Sequence, residues 1–288
     1  MYTLSNLLLH NRVSATLRPM LIRTYALLSV LMLSACAGAK PEGELTGTVG
    51  ELYNAGMDNM RAGKFDDAVH NFDELDRQYP YSGWATRAEM MTAFAQLQQG
   101  DFDEAIVTSE HFIKYHPGHK DLAYMYYLKG LANYNRIRDV TRDQGYTREA
   151  LAAFEEVVSR FPDSLYARDA KLKITLCRDH MAGKEMQVGR YYQSQKQYLP
   201  AINRFQEVVK DYQTTSQTPE ALYRLTESYL ALGLNDDATR SAAILGYNYP
   251  GSSWYDKAYS LLTKQNLAPV GKEKSWAGQI YKGVKELF

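Results

Sequence analysis

Cysteine is nearly missing from this chain: Cys36 and Cys177 are the only two in 288 residues. A disulfide framework and a four-thiolate zinc site are both excluded. There is no excess of charge of either sign, with 33 basic and 33 acidic side chains. The basic face that nucleic-acid binding needs is therefore not expected. The GxSxG, HExxH, Walker and GxGxxG patterns of common catalytic sites are absent beyond the first 36 residues. Phenylalanine is scarce beside tyrosine, 9 against 23. Tyrosine rings are apolar in body and polar at the tip, which suits helix seams and recognition surfaces alike. What remains is ordinary globular composition, 45% hydrophobic and 23% charged.

The most apolar stretch, Tyr25 to Ala35, follows Arg23 with no acid anywhere upstream. It is too short to span a bilayer as a helix and has the layout of a secretory signal. It closes in Leu33-Ser34-Ala35-Cys36, and there the chain resembles a bacterial lipoprotein. The resemblance implies that Leu33, Ser34 and Ala35 form the lipobox and that Cys36 carries a covalent lipid; no other cofactor is expected. An ordinary signal peptide that happens to end near a cysteine is the competing reading. Residues 1–35 are thus read as signal, with Met20 as a possible true start. Cleavage before Cys36 leaves 30 basic against 33 acidic residues. Acyl chains anchor at about 0.8 kcal/mol per buried methylene. Ala37, by the same resemblance, favours sorting to the periplasmic face of the outer membrane. Residues 36–48 read as a flexible tether, and Thr48-Val-Gly-Glu51 has capping-box spacing.

One pattern then recurs five times. It opens at Gly63, Gly100, Gly145, Lys196 and Gly233. An alanine follows five positions later (68, 105, 150, 201, 238), and the pattern closes at Pro80, Pro117, Pro162, Gln213 and Pro250. Glycine permits a tight turn, alanine a close helix contact, and proline stops the second helix. Apolar residues recur at helical spacing between them, as in Phe72 and Leu75 or Phe205 and Val208. Gly56, Gly130 and Gly189 lie inside first helices, where only close packing offsets their cost of about 1 kcal/mol. The pattern resembles the tetratricopeptide repeat, with opener-to-opener steps of 37, 45, 51 and 37 residues. The fold class expected is all-α: a superhelical array of about five tetratricopeptide-like helix pairs, ten main helices over residues 49–262. N-terminal repeats span 49–120 and C-terminal repeats 121–262. Such arrays leave a concave groove that holds peptides.

Candidate chemistry is thin. His111, His116 and His119 surround a repeat-ending turn; a metal site and plain turn histidines are the two readings. Cys177 sits on a helix face and reads as a small core residue. No metal site and no enzyme activity are expected.

The stretches Arg77–Tyr81, Tyr124–Tyr134, Arg142-Asp143, Phe161–Ala167 and Glu185–Tyr192 together resemble one family, the outer-membrane assembly lipoproteins called BamD or ComL. The resemblance implies a non-catalytic scaffold of the β-barrel assembly machinery. Its implied partners are the barrel-forming subunit with periplasmic domains, other accessory lipoproteins and unfolded outer-membrane proteins. By the same resemblance Arg204 would pair with an acid on the barrel subunit; a solvated helix-face arginine is the alternative. Tyr79, Tyr81, Trp84 and Arg87 cluster at the first repeat junction and suit a peptide ending in an aromatic residue and a carboxylate. For Tyr79, inter-repeat packing stands equally open. A different periplasmic repeat lipoprotein, an adaptor in envelope division or secretion, is the alternative function.

The segment 263–288 reads as a linker and an amphipathic helix. Trp276, Ile280, Val284 and Phe288 fall four apart on one stripe. Capping of the last repeat, contact with a partner and lying on the membrane all remain open for it.

Overall fold

The computed structural model describes residues 47–267. Among them lie eleven α-helices and no strand. They are α1 (Val49–Arg61), α2 (Phe65–Gln78), α3 (Gly83–Gln99), α4 (Phe102–Tyr115), α5 (Leu122–Asn135) and α6 (Gly145–Arg160). Then come α7 (Leu165–Ser194), α8 (Tyr198–Asp211), α9 (Thr218–Ala231), α10 (Asn235–Asn248) and α11 (Ser253–Lys264). Five antiparallel pairs run from α1/α2 to α9/α10. The eleventh helix, one more than expected, packs on α9 and α10 and covers the end of the array. No described helix is long and apolar enough to cross a membrane.

The recurring residues explain the pairs. At the start, the Thr48 hydroxyl accepts from the Glu51 amide while the Glu51 carboxylate accepts from the Thr48 amide at 2.8 Å, a closed capping box. Gly63, Gly100 and Gly233 turn the chain at φ of 70°, 95° and 75°, and Lys196 adopts the same left-handed conformation at 58°. Gly145 departs from the expected turn role: it is the first residue of α6, and its amide donates to the Asp143 carboxylate at 2.6 Å. The turn there is replaced by the segment 136–144. Each marker alanine is completely buried.

Every second helix ends in a ring: Tyr79, His116, Phe161, Tyr212 and Tyr249. Four of these precede proline, which drives them out of the α region; their φ lies between −122° and −134°. Tyr212 takes the same conformation before Gln213 (φ −127°), so the fourth repeat closes without proline.

Gly56, Gly130 and Gly189 each face a wholly buried ring, Phe72, Phe154 and Phe205. A β-carbon on Gly130 would come within 2.6 Å of the Phe154 ring. In the second and fifth repeats the matching positions are Ala93 with Ser109 and Thr226 with Ala242, all buried. A glycine therefore goes with a phenylalanine, and a larger first-helix residue with a small partner, so the gap is filled either way.

The long steps have two causes. The 45-residue step holds the segment 136–144, which docks onto α7: His180 sits between Gln144 Oε1 (2.8 Å) and the Arg138 carbonyl (2.9 Å), and Lys184 donates to the Thr141 carbonyl at 2.8 Å. The 51-residue step is α7 itself, 30 residues or about 45 Å. Its first half buries Ala170 and Cys177 with α6, and its second half buries Ala182 and Met186 with α8 and α9. One rigid helix thus belongs to two successive cores.

Candidate functional site

At the first repeat junction, the turn after α2 exposes Tyr81 fully to solvent. Ser82 then caps α3 by accepting from the Ala85 amide at 3.0 Å. Trp84, in the first turn of α3, is 41% exposed. The Arg87 guanidinium lies 5.3 Å from its ring centre, and the Tyr53 ring of α1 meets Trp84 edge to face, with centroids 4.8 Å apart. Tyr53, Trp84 and Arg87 thus form one ring-and-cation corner, and Tyr81 sits in the turn just before it. Tyr79 occupies the helix-ending position whose counterparts Phe161, Tyr212 and Tyr249 pack into hydrophobic cores.

Trp84 also has counterparts. Tyr127 stacks on Tyr166 and Tyr223 on Trp254, both with centroids 5.3 Å apart, in the register of Tyr53 on Trp84. Part of the aromatic surplus therefore goes into three such rungs, joining α1 to α3, α5 to α7 and α9 to α11. Tyr53 is part of the corner and was missed from sequence. The signal was available: it lies three residues before Gly56, as Tyr127 lies three before Gly130 and Tyr223 three before Thr226.

In the C-terminal repeats Arg204 on α8 is neither free nor merely solvated. Its Nη1 lies 2.9 Å from Glu185 Oε2 on α7 and 3.5 Å from Glu207 Oε2 one turn further on. The hydrogen bond uses only Nη1, so a half-exposed guanidinium fork keeps donors for another acceptor. Two carboxylates share this one cation. Burial, and next the charge of Glu185, hold the Glu207 carboxyl above the usual carboxylate range.

A cleft of about 600 Å³ runs between α7, α9 and α11. Arg190 and Arg224 both meet Glu220, at 3.3 and 3.2 Å, and Arg224 also meets Glu227 at 3.0 Å. Tyr223 donates to Glu227 at 2.6 Å; burial and then that carboxylate push its phenol up to about 12. Arg190, Gln193, Arg224 and Glu227 supply the polar part of the cleft wall and Leu230, Ala231 and Leu261 the apolar part, a mixture suited to a polypeptide segment.

Two of the three histidines gather on one carboxylate. His111 Nδ1 lies 2.6 Å from Glu89 Oε1 and His116 Nε2 3.3 Å from Glu89 Oε2, while His119 receives the Asp121 amide at 3.2 Å. No group of three or more His, Cys, Asp or Glu among the described residues is placed to hold a metal. Cys177 is wholly buried, and burial pushes its thiol up to about 11. The lipobox residues Leu33, Ser34 and Ala35, Cys36, and the tail stripe Trp276, Ile280, Val284 and Phe288 lie outside the described residues.

Stacked helix pairs, buried turn alanines and a ring at every second-helix end define an all-α protein of the tetratricopeptide type. A family model described as outer membrane lipoprotein (YfiO) matches residues 46–245. The chain is 44% identical over 248 residues to the outer membrane protein assembly factor BamD of Caulobacter vibrioides, covering 85% of this chain and 81% of that one. It is 42% identical over 232 residues to BamD of Rickettsia prowazekii (81% and 92%) and 32% identical over 244 residues to BamD of Neisseria meningitidis (80% and 91%). The chain belongs to this family. Among solved structures, it is similar to a thermophilic TPR protein of Thermus thermophilus, at 19% identity and a TM-score of 0.34 over 75% of this chain and 100% of that one.

Proposed function

We propose that this chain is a non-catalytic scaffold that assists assembly of outer-membrane β-barrels, held at the periplasmic face of the outer membrane by a lipid on Cys36. The observation that carries this is its 42–44% identity with assembly factors named BamD over more than four-fifths of its length. The C-terminal repeats bind the barrel-forming subunit, with the spare donors of Arg204 offered to an acid of that partner. The N-terminal repeats receive unfolded outer-membrane proteins. There the exposed Trp84 and Tyr81 take up an aromatic terminal residue, and Arg87 takes its carboxylate. Other accessory lipoproteins complete the assembly.

What supports a holding role is a cleft whose wall combines charged, amide and apolar side chains, a makeup that a polypeptide segment can meet. Depletion of the chain from growing cells tests the proposal. Folded, heat-modifiable barrels in the outer membrane should fall with the depleted chain while inner-membrane proteins hold steady. Undiminished barrel content after depletion refutes it.

A further inference from the structure

The three aromatic rungs differ in how the tyrosine hydroxyl is satisfied. In each, a tyrosine meets the ring at the second position of the helix two further on: Tyr53 on Trp84, Tyr127 on Tyr166, Tyr223 on Trp254. A hydroxyl beside an apolar seam calls for a partner, and two of the three have a carboxylate. Tyr127 donates to Asp169 at 2.5 Å, and Asp169 stands three residues after Tyr166. Tyr223 donates to Glu227 at 2.6 Å, one turn along its own helix.

In the first rung both carboxylates are missing. The residue three after Trp84 is Arg87, and the residue four after Tyr53 is Met57. The Tyr53 hydroxyl has no hydrogen-bond partner among the described residues, and the exposed Arg87 has no carboxylate partner among them. The acids of α1 and α3 are engaged elsewhere. Glu51 closes the capping box, Asp58 pairs with Arg61, and Glu89 holds His111 and His116.

The first and third repeats share one register. A glycine follows three residues after Tyr53 and after Tyr127, and each faces a wholly buried phenylalanine, Phe72 or Phe154. A serine stands at the N-cap of both α3 and α7, Ser82 and Ser164. Position 87 is therefore the counterpart of position 169. Where the third repeat supplies its own carboxylate to the tyrosine, the first supplies a cation.

We propose that Tyr53 and Arg87 form a carboxylate subsite beside Trp84. A ligand carboxylate fills the role that Asp169 has in the third repeat, accepting from the Tyr53 hydroxyl and from the Arg87 guanidinium. An aromatic side chain of the same ligand lies on the exposed part of Trp84. Two donors, one of them charged, fix a carboxylate more firmly than a lone exposed cation does. The ligand class is a peptide with a carboxylate next to an aromatic residue, and a chain terminus or an acidic side chain can supply it. This subsite rests on the reading that the N-terminal repeats receive polypeptide at the Trp84 corner, and it gives that corner a second donor.

Fluorescence anisotropy with the full chain in detergent tests it. Three labelled peptides share an apolar body and end in Phe as the free acid, in Phe amide, or in Glu-Phe amide. At least one carboxylate peptide should bind about tenfold tighter than plain Phe amide, and the tighter of the two identifies the source of the carboxylate. Tyr53→Phe keeps the ring on Trp84 and removes only the hydroxyl. It should cut that preference by about three- to tenfold with the melting temperature unchanged, and Arg87→Gln should remove most of what is left. Tyr127→Phe, whose hydroxyl is already taken by Asp169, should leave the preference whole. Equal binding of all three peptides overturns the subsite but not the corner. So does a preference that Tyr53→Phe leaves intact, or an equal loss with Tyr127→Phe. Binding of none of the peptides, or binding undiminished by Trp84→Ala, overturns the corner and the subsite together.

Discussion

Replacing Gly130 by alanine sets two effects of known sign against each other. Alanine inside a helix is favoured over glycine by about 1 kcal/mol. Against that, the new methyl would lie within 2.6 Å of one Phe154 ring carbon and 2.7 Å of another. Phe154 is wholly buried and flanked by Tyr127 and Tyr134, with ring centroids 5.9 and 6.2 Å away, so the ring has little room to retreat. Overpacking of this kind costs about 1–3 kcal/mol. The clash outweighs propensity, and Gly130→Ala should destabilise by about 1 kcal/mol, or about 2–4 °C in melting temperature. Phe154→Val withdraws the Cδ1, Cε1 and Cζ atoms that the methyl meets. Introduced into that variant, Gly130→Ala should stabilise by about 0.5–1 kcal/mol. The double-mutant cycle then gives a coupling of about 2 kcal/mol, read from urea midpoints followed by helical circular dichroism at constant m. A stabilising Gly130→Ala in the natural chain, or additive effects, would refute the glycine–phenylalanine account.

Other expectations follow from the same geometry. The Glu207 carboxyl is held above its ordinary 4.5, so between that value and the raised one the folded chain binds more protons than the unfolded chain; stability therefore falls as pH rises through the window. Glu207→Gln should raise the melting temperature slightly at pH 7, by a few tenths of a kcal/mol for so exposed a group, and lose that advantage near pH 4; a lowered melting temperature at pH 7 would mean that attraction to Arg204 outweighs repulsion from Glu185. Cys177, buried and pushed up to about 11, should react with a disulfide reagent at pH 8 at least about a hundredfold slower than a free cysteine, and labelling at the free rate in the folded chain would contradict its core position. Tyr53→Leu keeps an apolar body but removes the edge-on contact with Trp84 and should cost about 0.5–1.5 kcal/mol in urea titration; no change would deny that rung a part in stability.

The repeat positions were legible because each answers to a local rule. A glycine at positive φ, an alanine at a helix crossing and a ring before proline are imposed by a few neighbouring atoms, and they recur at fixed spacing. Gly145 escaped that reading because its role depends on the segment before it: Asp143 binds its amide, and the turn moves upstream. The length of α7 was hidden for a related reason. Its buried face shifts from Ala170 and Cys177 to Ala182 and Met186, so no single stripe marks it as one helix.

The site residues were harder to read than the fold. Trp84 and Tyr81 are visible as types, but the Trp84 contact with Tyr53 lies 31 residues away in sequence and shows only when successive repeats are superposed. Arg204 could be found by motif. Its partner Glu185 could not, because it lies on the preceding helix across the 196 turn.

Affinity purification of the chain from detergent-extracted membranes tests the scaffold reading most directly. A barrel-forming outer-membrane protein should co-elute in near-stoichiometric amount. Arg204→Glu, which leaves Glu185 and Glu207 without their shared cation, should release it while the helical content persists. Elution of the natural chain without any barrel-forming protein, or undiminished recovery with the Arg204 variant, would contradict the account.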